Sequence, residues 1–309
     1  MRKNVKKQFA LRVLSTAALV AMVSSIATAA FAEEYNVAKG SVEIVAKDGV
    51  QRITQWENKD EGTFVKDEKG DIYNRPDPDI ILTTKNKNTG EIETTDKTKP
   101  THNTVTIDAK EGNTANVTLQ DVHIEVDTSK AKSGAIEIKG DGDTNLELNG
   151  DNTVMVKNGW EEEHAAIEKA DKYGHGTLTI KDDVNDNGKP KTGTKADTTG
   201  TLVAGGYHDA AAIGGGEGEF ADTSNITITG GKITASGGTY GAGIGGGYTG
   251  DASNIRIEGN ADVIAFGNSG AAIGSGYHSR VNSDITITDH ATVTAASLDG
   301  CGIGGGQDA

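Results

Sequence analysis

The 309-residue chain holds 42 glycines, four prolines, one cysteine and only 5% aromatic residues, and its formal charge is −15. So acidic a surface disfavours nucleic acid and anionic membranes as partners, and a single cysteine excludes an intrachain disulfide framework. Many glycines with few rings fit a thin, repetitive core better than a compact globule.

Residues 1–32 read as an export signal peptide. Arg2, Lys3, Lys6, Lys7 and Arg12 form a charged start, Val13 to Ile26 is apolar, and Ala30-Phe31-Ala32 fits a small-residue cleavage site. A transmembrane anchor is the competing reading, but the apolar run is too short for one. Cleavage removes five of the 30 Lys and Arg and no acid, which leaves −20 on the remainder. The expectation is a secreted protein at the cell surface, with no membrane insertion after cleavage.

Residues 33–100 are the least regular part. Val42 to Val45 and Ile80 to Leu82 look like strands, Asn74 to Pro78 like a turn, and Lys85 to Pro100 like a polar linker.

Beyond residue 101 the chain repeats itself, most plainly toward its end. A glycine phrase reads AAIGGG at 211–216, GAGIGGG at 241–247, AAIGSG at 271–276 and CGIGGG at 301–306. Its isoleucines, Ile213, Ile244, Ile273 and Ile303, step by 31, 29 and 30 residues. A fixed period of that size marks a solenoid. Between phrases lie two short runs of alternating apolar residues, which is strand periodicity. Each unit therefore predicts three strands, and one repeat predicts one coil of a parallel β-helix.

Three ladders follow from that reading. First-strand positions are Val117, Leu146, Leu178, Ile226, Ile255 and Ile285. Second-strand positions are Ile124, Val154, Leu202, Ile233, Val263 and Val293. Third-strand positions are Ile107, Ile136, Ile167, Ile213, Ile244, Ile273 and Ile303. The segment at 160–172 has helix-favouring composition, yet Ile167 sits on the third ladder and the ladder takes precedence. Six to seven coils are expected over 101–309. Because the end coils of a solenoid need a cap, residues 33–100 read as an N-terminal cap and loop. The last glycine phrase stops at Gln307-Asp308-Ala309, which suggests truncation and further modules of a longer protein.

Corner residues follow the same period. Asn116, Asn145, Asn225 and Asn254 precede first strands and can bond to one another between coils. Cys301 falls in the small-residue run that precedes each ladder isoleucine, and reads as a small buried side chain.

Two stretches carry candidate chemistry. The insertion at 181–200 contains Asp183, Asn185, Asn187 and Gly188 at the spacing of the first half of an EF-hand loop, a candidate calcium site. Thr194 stands where such a loop needs glutamate, and Lys189 and Lys191 add positive charge. Tyr248 and Tyr277 each lie four residues after a ladder isoleucine, so they stack in adjacent coils. With Tyr240, Tyr207 and Trp160 near the same edge, they form a candidate strip for the apolar faces of sugar rings. GAGIGG at 241–246 has glycines at the dinucleotide-binding spacing but lacks the strand-to-helix setting.

The phrases GAGIGGG, NITITGG and TLVAGG resemble the glycine-rich right-handed parallel β-helix repeats of secreted and surface proteins of Gram-positive, often gut, bacteria. That resemblance implies an all-β fold and a carbohydrate-binding or adhesin-like role, on a polysaccharide, cell-wall or host glycan. A related family of cellulolytic clostridia binds plant cell-wall polysaccharide with calcium, with which the acidic insertion is compatible. Gly174-His175-Gly176 and Asp182-Asp183 resemble short motifs of polygalacturonases, but in reversed order and without the family's other segments. The expectation is a non-catalytic glycan-binding β-helix. A structural spacer is the first alternative, and a polysaccharide lyase or glycoside hydrolase the second.

Overall fold

The computed structural model describes residues 33–58, 61–66, 74–78, 80–85, 103–158, 163–183, 200–279 and 284–309. Residues 1–32, expected to be a signal peptide, residues 86–102, Trp160, Asn185 and Asn187 lie outside the described residues.

Six coils stack into a parallel β-helix, each giving one strand to each of three sheets. The first coil comprises Thr114–Gln120, His123–Asp127 and Ile136–Lys139, and the second Asp143–Asn149, Asp151–Lys157 and Ile167–Glu168. The third has Leu178–Lys181, Thr201–Gly205 and Ile213–Gly214, and the fourth Thr223–Ile228, Lys232–Ser236 and Ile244–Gly245. Ala252–Ile257, Asp262–Gly267 and Ile273–Gly274 form the fifth, and Ile285–Ile287, Thr292–Ser297 and Ile303–Gly304 the sixth. The helix-like composition at 160–172 yields to the ladder: Ile167 pairs with Ile136 on one side and Ile213 on the other.

Alternation dictates which side chains face inward. Ile226, Ile233, Ile244, Ile255, Val263 and Ile273 are fully buried, one above another in three columns. Each buried isoleucine contributes about 2 kcal/mol of apolar transfer. A single coil has no interior, so that burial exists only because coils stack.

The ladders need three corrections, each a slip of two residues. Leu146 pairs with Ile180 and not Leu178, whose partner is Thr144. Val154 pairs with Ala204, and Leu202 pairs with Asn152. Ile107 pairs with Ile138, and Ile136 with Val105. The early strands on the first and second faces run to seven residues and carry three inward positions, so the period alone leaves a two-residue ambiguity. Since the slip is even, every residue keeps its face. Asn152 is thereby a buried amide in an apolar column. It accepts from the Val122 amide at 3.0 Å and donates to the carbonyls of Asn149 and Thr201 at 3.1 and 3.0 Å, so its burial is compensated.

The asparagine ladder is likewise two pairs and not one column. Asn145 donates to Asn116 at 2.9 Å and Asn254 to Asn225 at 2.7 Å, whereas Asn225 donates to the His175 carbonyl. Asn225 and Asn254 adopt φ of 58° and 48°, a left-handed conformation asparagine tolerates well.

At the N-terminal end, Ser41–Lys47 joins the third sheet parallel to Val105–Ala109. Its other edge is covered by the antiparallel strand Val50–Asn58, which in turn pairs with Thr63–Phe64 and Asn74–Pro76. Trp56 stacks on Phe64 with centroids 4.3 Å apart. An antiparallel hairpin ends a parallel sheet without leaving it a parallel edge to extend.

On the third face the strands shrink from four residues in the first coil to two in every later coil. Glycine explains the tight corner. Gly245 has φ of +138°, and a Cβ there would lie 1.7 Å from the carbonyl oxygen of Gly274. Cys301 is exposed, contrary to the buried reading, because it sits in the sixth coil with no described coil stacked on its open side.

Candidate functional site

Short third strands have a consequence for the loops on either side. After only an Ile-Gly pair the chain leaves the sheet in both directions, and the flanking loops of neighbouring coils bond to each other. The amide four residues after the ladder isoleucine donates to the carbonyl four residues before the isoleucine one coil earlier. The pairs are Glu217 to Glu163 at 2.8 Å, Tyr248 to Asp209 at 2.7 Å, Tyr277 to Tyr240 at 2.9 Å and Gln307 to Ser269 at 2.8 Å. This seam of main-chain bonds runs along the outside of the third face and fixes the side chains that project from it.

Toward the fourth and fifth coils the seam is aromatic. Tyr248 and Tyr277 are near-parallel, at 13°, with ring centroids 6.0 Å apart. Tyr240 packs against both, at 5.5 and 5.2 Å. His208 meets the edge of Tyr240 at 5.3 Å, and Tyr207 lies 6.4 Å from His208. All four tyrosines are half-buried. The structure thus brings Tyr240, Tyr248 and Tyr277 together, with Tyr207 attached through His208.

Toward the second and third coils the seam is acidic. Glu163 is buried, and its carboxylate accepts the Asp209 amide. His208 Nδ1 stands 2.8 Å from Asp209 Oδ1 and 3.5 Å from Glu163 Oε1. Burial, helped by the Asp209 charge and opposed by the Asp209 amide and His208, pushes Glu163 up to about 7. Burial also raises Asp209, against the pull of His208.

A second polar cluster lies inside the same corner. Glu137 and Glu168 are register partners, and the position they share becomes Gly214, Gly245 and Gly274 in later coils. Glu168 is fully buried and is met by His164 Nδ1 at 2.8 Å and the Ala165 amide at 3.0 Å. Tyr173 donates to Glu137 at 3.2 Å, and Lys139 pairs with Glu137 at 3.0 Å. Burial raises Glu168 above the ordinary carboxylate range. With both carboxylates met by neighbouring donors, this cluster replaces the glycine packing of later coils.

The remaining described candidates are each engaged locally. Asp183 is engaged by Lys181 at 2.9 Å, and its amide donates to Glu147. Asp182 holds the Gly200 amide at 3.3 Å and so ties together the two ends of the insertion. His175 is 71% exposed and lies 3.9 Å from Asp171. Arg256 is paired with Glu258 at 2.8 Å.

Sequence reasoning missed Glu163, His208 and Asp209. A signal was present: Glu163, Asp209 and Tyr240 each precede a ladder isoleucine by four residues, in consecutive coils.

Residues 226–248 and 285–307 match the family model described as Beta helix repeat. Both matches begin on a first-strand isoleucine and end on the seam residue four positions after a third-strand isoleucine. A search of curated proteins and a search of solved structures each found no match. Together with the coil-by-coil pairing of all three faces, the repeat match makes this chain a parallel β-helix repeat protein.

Proposed function

We propose that the chain is an exported, non-catalytic β-helix that binds carbohydrate along the third-face seam. The observation that carries this reading is the group of Tyr240, Tyr248 and Tyr277, three half-buried rings held by main-chain bonds on adjacent coils. Aromatic faces receive the apolar C–H faces of sugar rings, and fixed rings lose little entropy when they do so. Coils rise by ~4.8 Å, so a polysaccharide lying along the seam meets a repeated surface. Glu163, Asp209 and His208 at the acidic end supply acceptors and donors for hydroxyl groups.

Absence of catalysis is supported by the carboxylates themselves. Glycoside hydrolysis needs two carboxyl groups on opposite sides of one bond. Here Glu163 and Asp209 lie side by side around one imidazole, and Glu163 is 3% exposed. Export is supported by the charged start and apolar run of residues 1–32.

The test is retention of residues 33–309 on a panel of soluble and insoluble polysaccharides, with reducing sugar measured in parallel. Retention on at least one glycan without release of sugar ends is expected. Release of sugar ends overturns the non-catalytic reading, and failure on every glycan leaves a spacer.

A further inference from the structure

Glu163, His208 and Asp209 place a ring nitrogen and two carboxylate oxygens within 4.8 Å of one another. Donors around a tetrahedral ion with ~2.0 Å bonds lie about 3.3 Å apart. His208 Nδ1, at 2.8 and 3.5 Å from the two oxygens, brackets that spacing. The positions are set by the scaffold. Glu163 and Asp209 precede the register partners Ile167 and Ile213 by the same four residues, and the Asp209 amide fixes the Glu163 carboxylate.

Carboxylates outnumber basic side chains around the triad. Among the described residues, His208 is the only basic side chain within ion-pair distance of either carboxylate, and Glu217 adds a further carboxylate nearby. Asp209 Oδ1 is buried and receives no well-aligned hydrogen bond. His208 is 36% exposed, so the triad has a path to solvent on the side of Tyr240.

We propose that Glu163, His208 and Asp209 bind a divalent transition-metal ion of the zinc class, with its remaining coordination position open beside the tyrosine strip. Imidazole with two carboxylates suits such an ion, whereas calcium takes an all-oxygen shell. Three protein donors and one open position is the arrangement of a site that accepts an exogenous oxygen ligand. This assignment is independent of glycan binding and is tested without any glycan.

The experiment uses tag-free protein stripped with a chelator, then titrated with Zn²⁺ by calorimetry and with Co²⁺ by visible absorption. One ion per chain is expected, with a tetrahedral-type cobalt spectrum. His208→Ala and Asp209→Asn should each weaken binding at least tenfold, while Asp183→Asn leaves it unchanged. His208→Cys keeps a ligand at that position and should add a thiolate-to-cobalt charge-transfer band. Folded wild-type protein that takes up neither ion overturns the assignment. So does undiminished affinity in His208→Ala, or His208→Cys that binds cobalt without the new band.

Discussion

The amide of Tyr248 donates to the carbonyl of Asp209 at 2.7 Å, joining the aromatic and acidic stretches of the seam through main chain alone. Because backbone and not side chains closes the seam, its side chains are free to vary without unlacing the coils. That separation lets the binding and folding claims be tested apart.

Folding rests on the glycines. Gly245→Ala places a Cβ 1.7 Å from the Gly274 carbonyl oxygen at a φ of +138°. Both the coil spacing and the corner must give way, so a loss of at least about 4 kcal/mol is expected. Gly218→Ala is the control: its φ is +61°, but nothing lies within 4 Å of the added carbon. It should cost about 1 kcal/mol, the left-handed penalty alone. Urea unfolding of both variants checks the contrast, and equal losses would refute the stacking argument.

Cys301 lies exposed in the sixth coil. A thiol reagent should label it fully in the native protein, at a rate near that of the unfolded chain. Labelling that waits for denaturant would show that another surface covers the sixth coil in solution.

Glu168 gives the fold a pH signature. Its folded-state pKa is raised above the ordinary 4.5, chiefly by burial, with His164 and the Ala165 amide opposing. The folded state therefore holds this proton more tightly than the unfolded state does. Glu168's contribution to stability is full below the ordinary carboxylate range and is lost as pH rises through the raised value. Glu168→Gln removes that loss, so its melting temperature should fall less than that of the wild type between acidic and neutral pH. Parallel curves for the two proteins would contradict the assignment.

The fold was largely legible because side-chain alternation and a constant period are both local signals. Ile226, Ile255 and Ile285 could be aligned by counting, and they are indeed register partners. Leu146 and Leu178 could not, because an even slip preserves every inward and outward choice and leaves no mark on the hydrophobic pattern. Tyr248 and Tyr277 were legible for the same reason as the ladder, having one offset in adjacent coils. The acidic end was not. His208 and Asp209 meet Glu163 across an insertion that interrupts the period, and the closure that unites them is made of backbone bonds, which no residue type announces.

The most direct test is the affinity of the Tyr248→Ala/Tyr277→Ala double variant for whichever polysaccharide retains the wild type. Removing both rings leaves the seam's main-chain bonds in place, so the far-ultraviolet β signature should be unchanged. Affinity should fall at least about tenfold, or about 1.4 kcal/mol. Undiminished affinity in the folded double variant would contradict the account and place the glycan elsewhere on the β-helix.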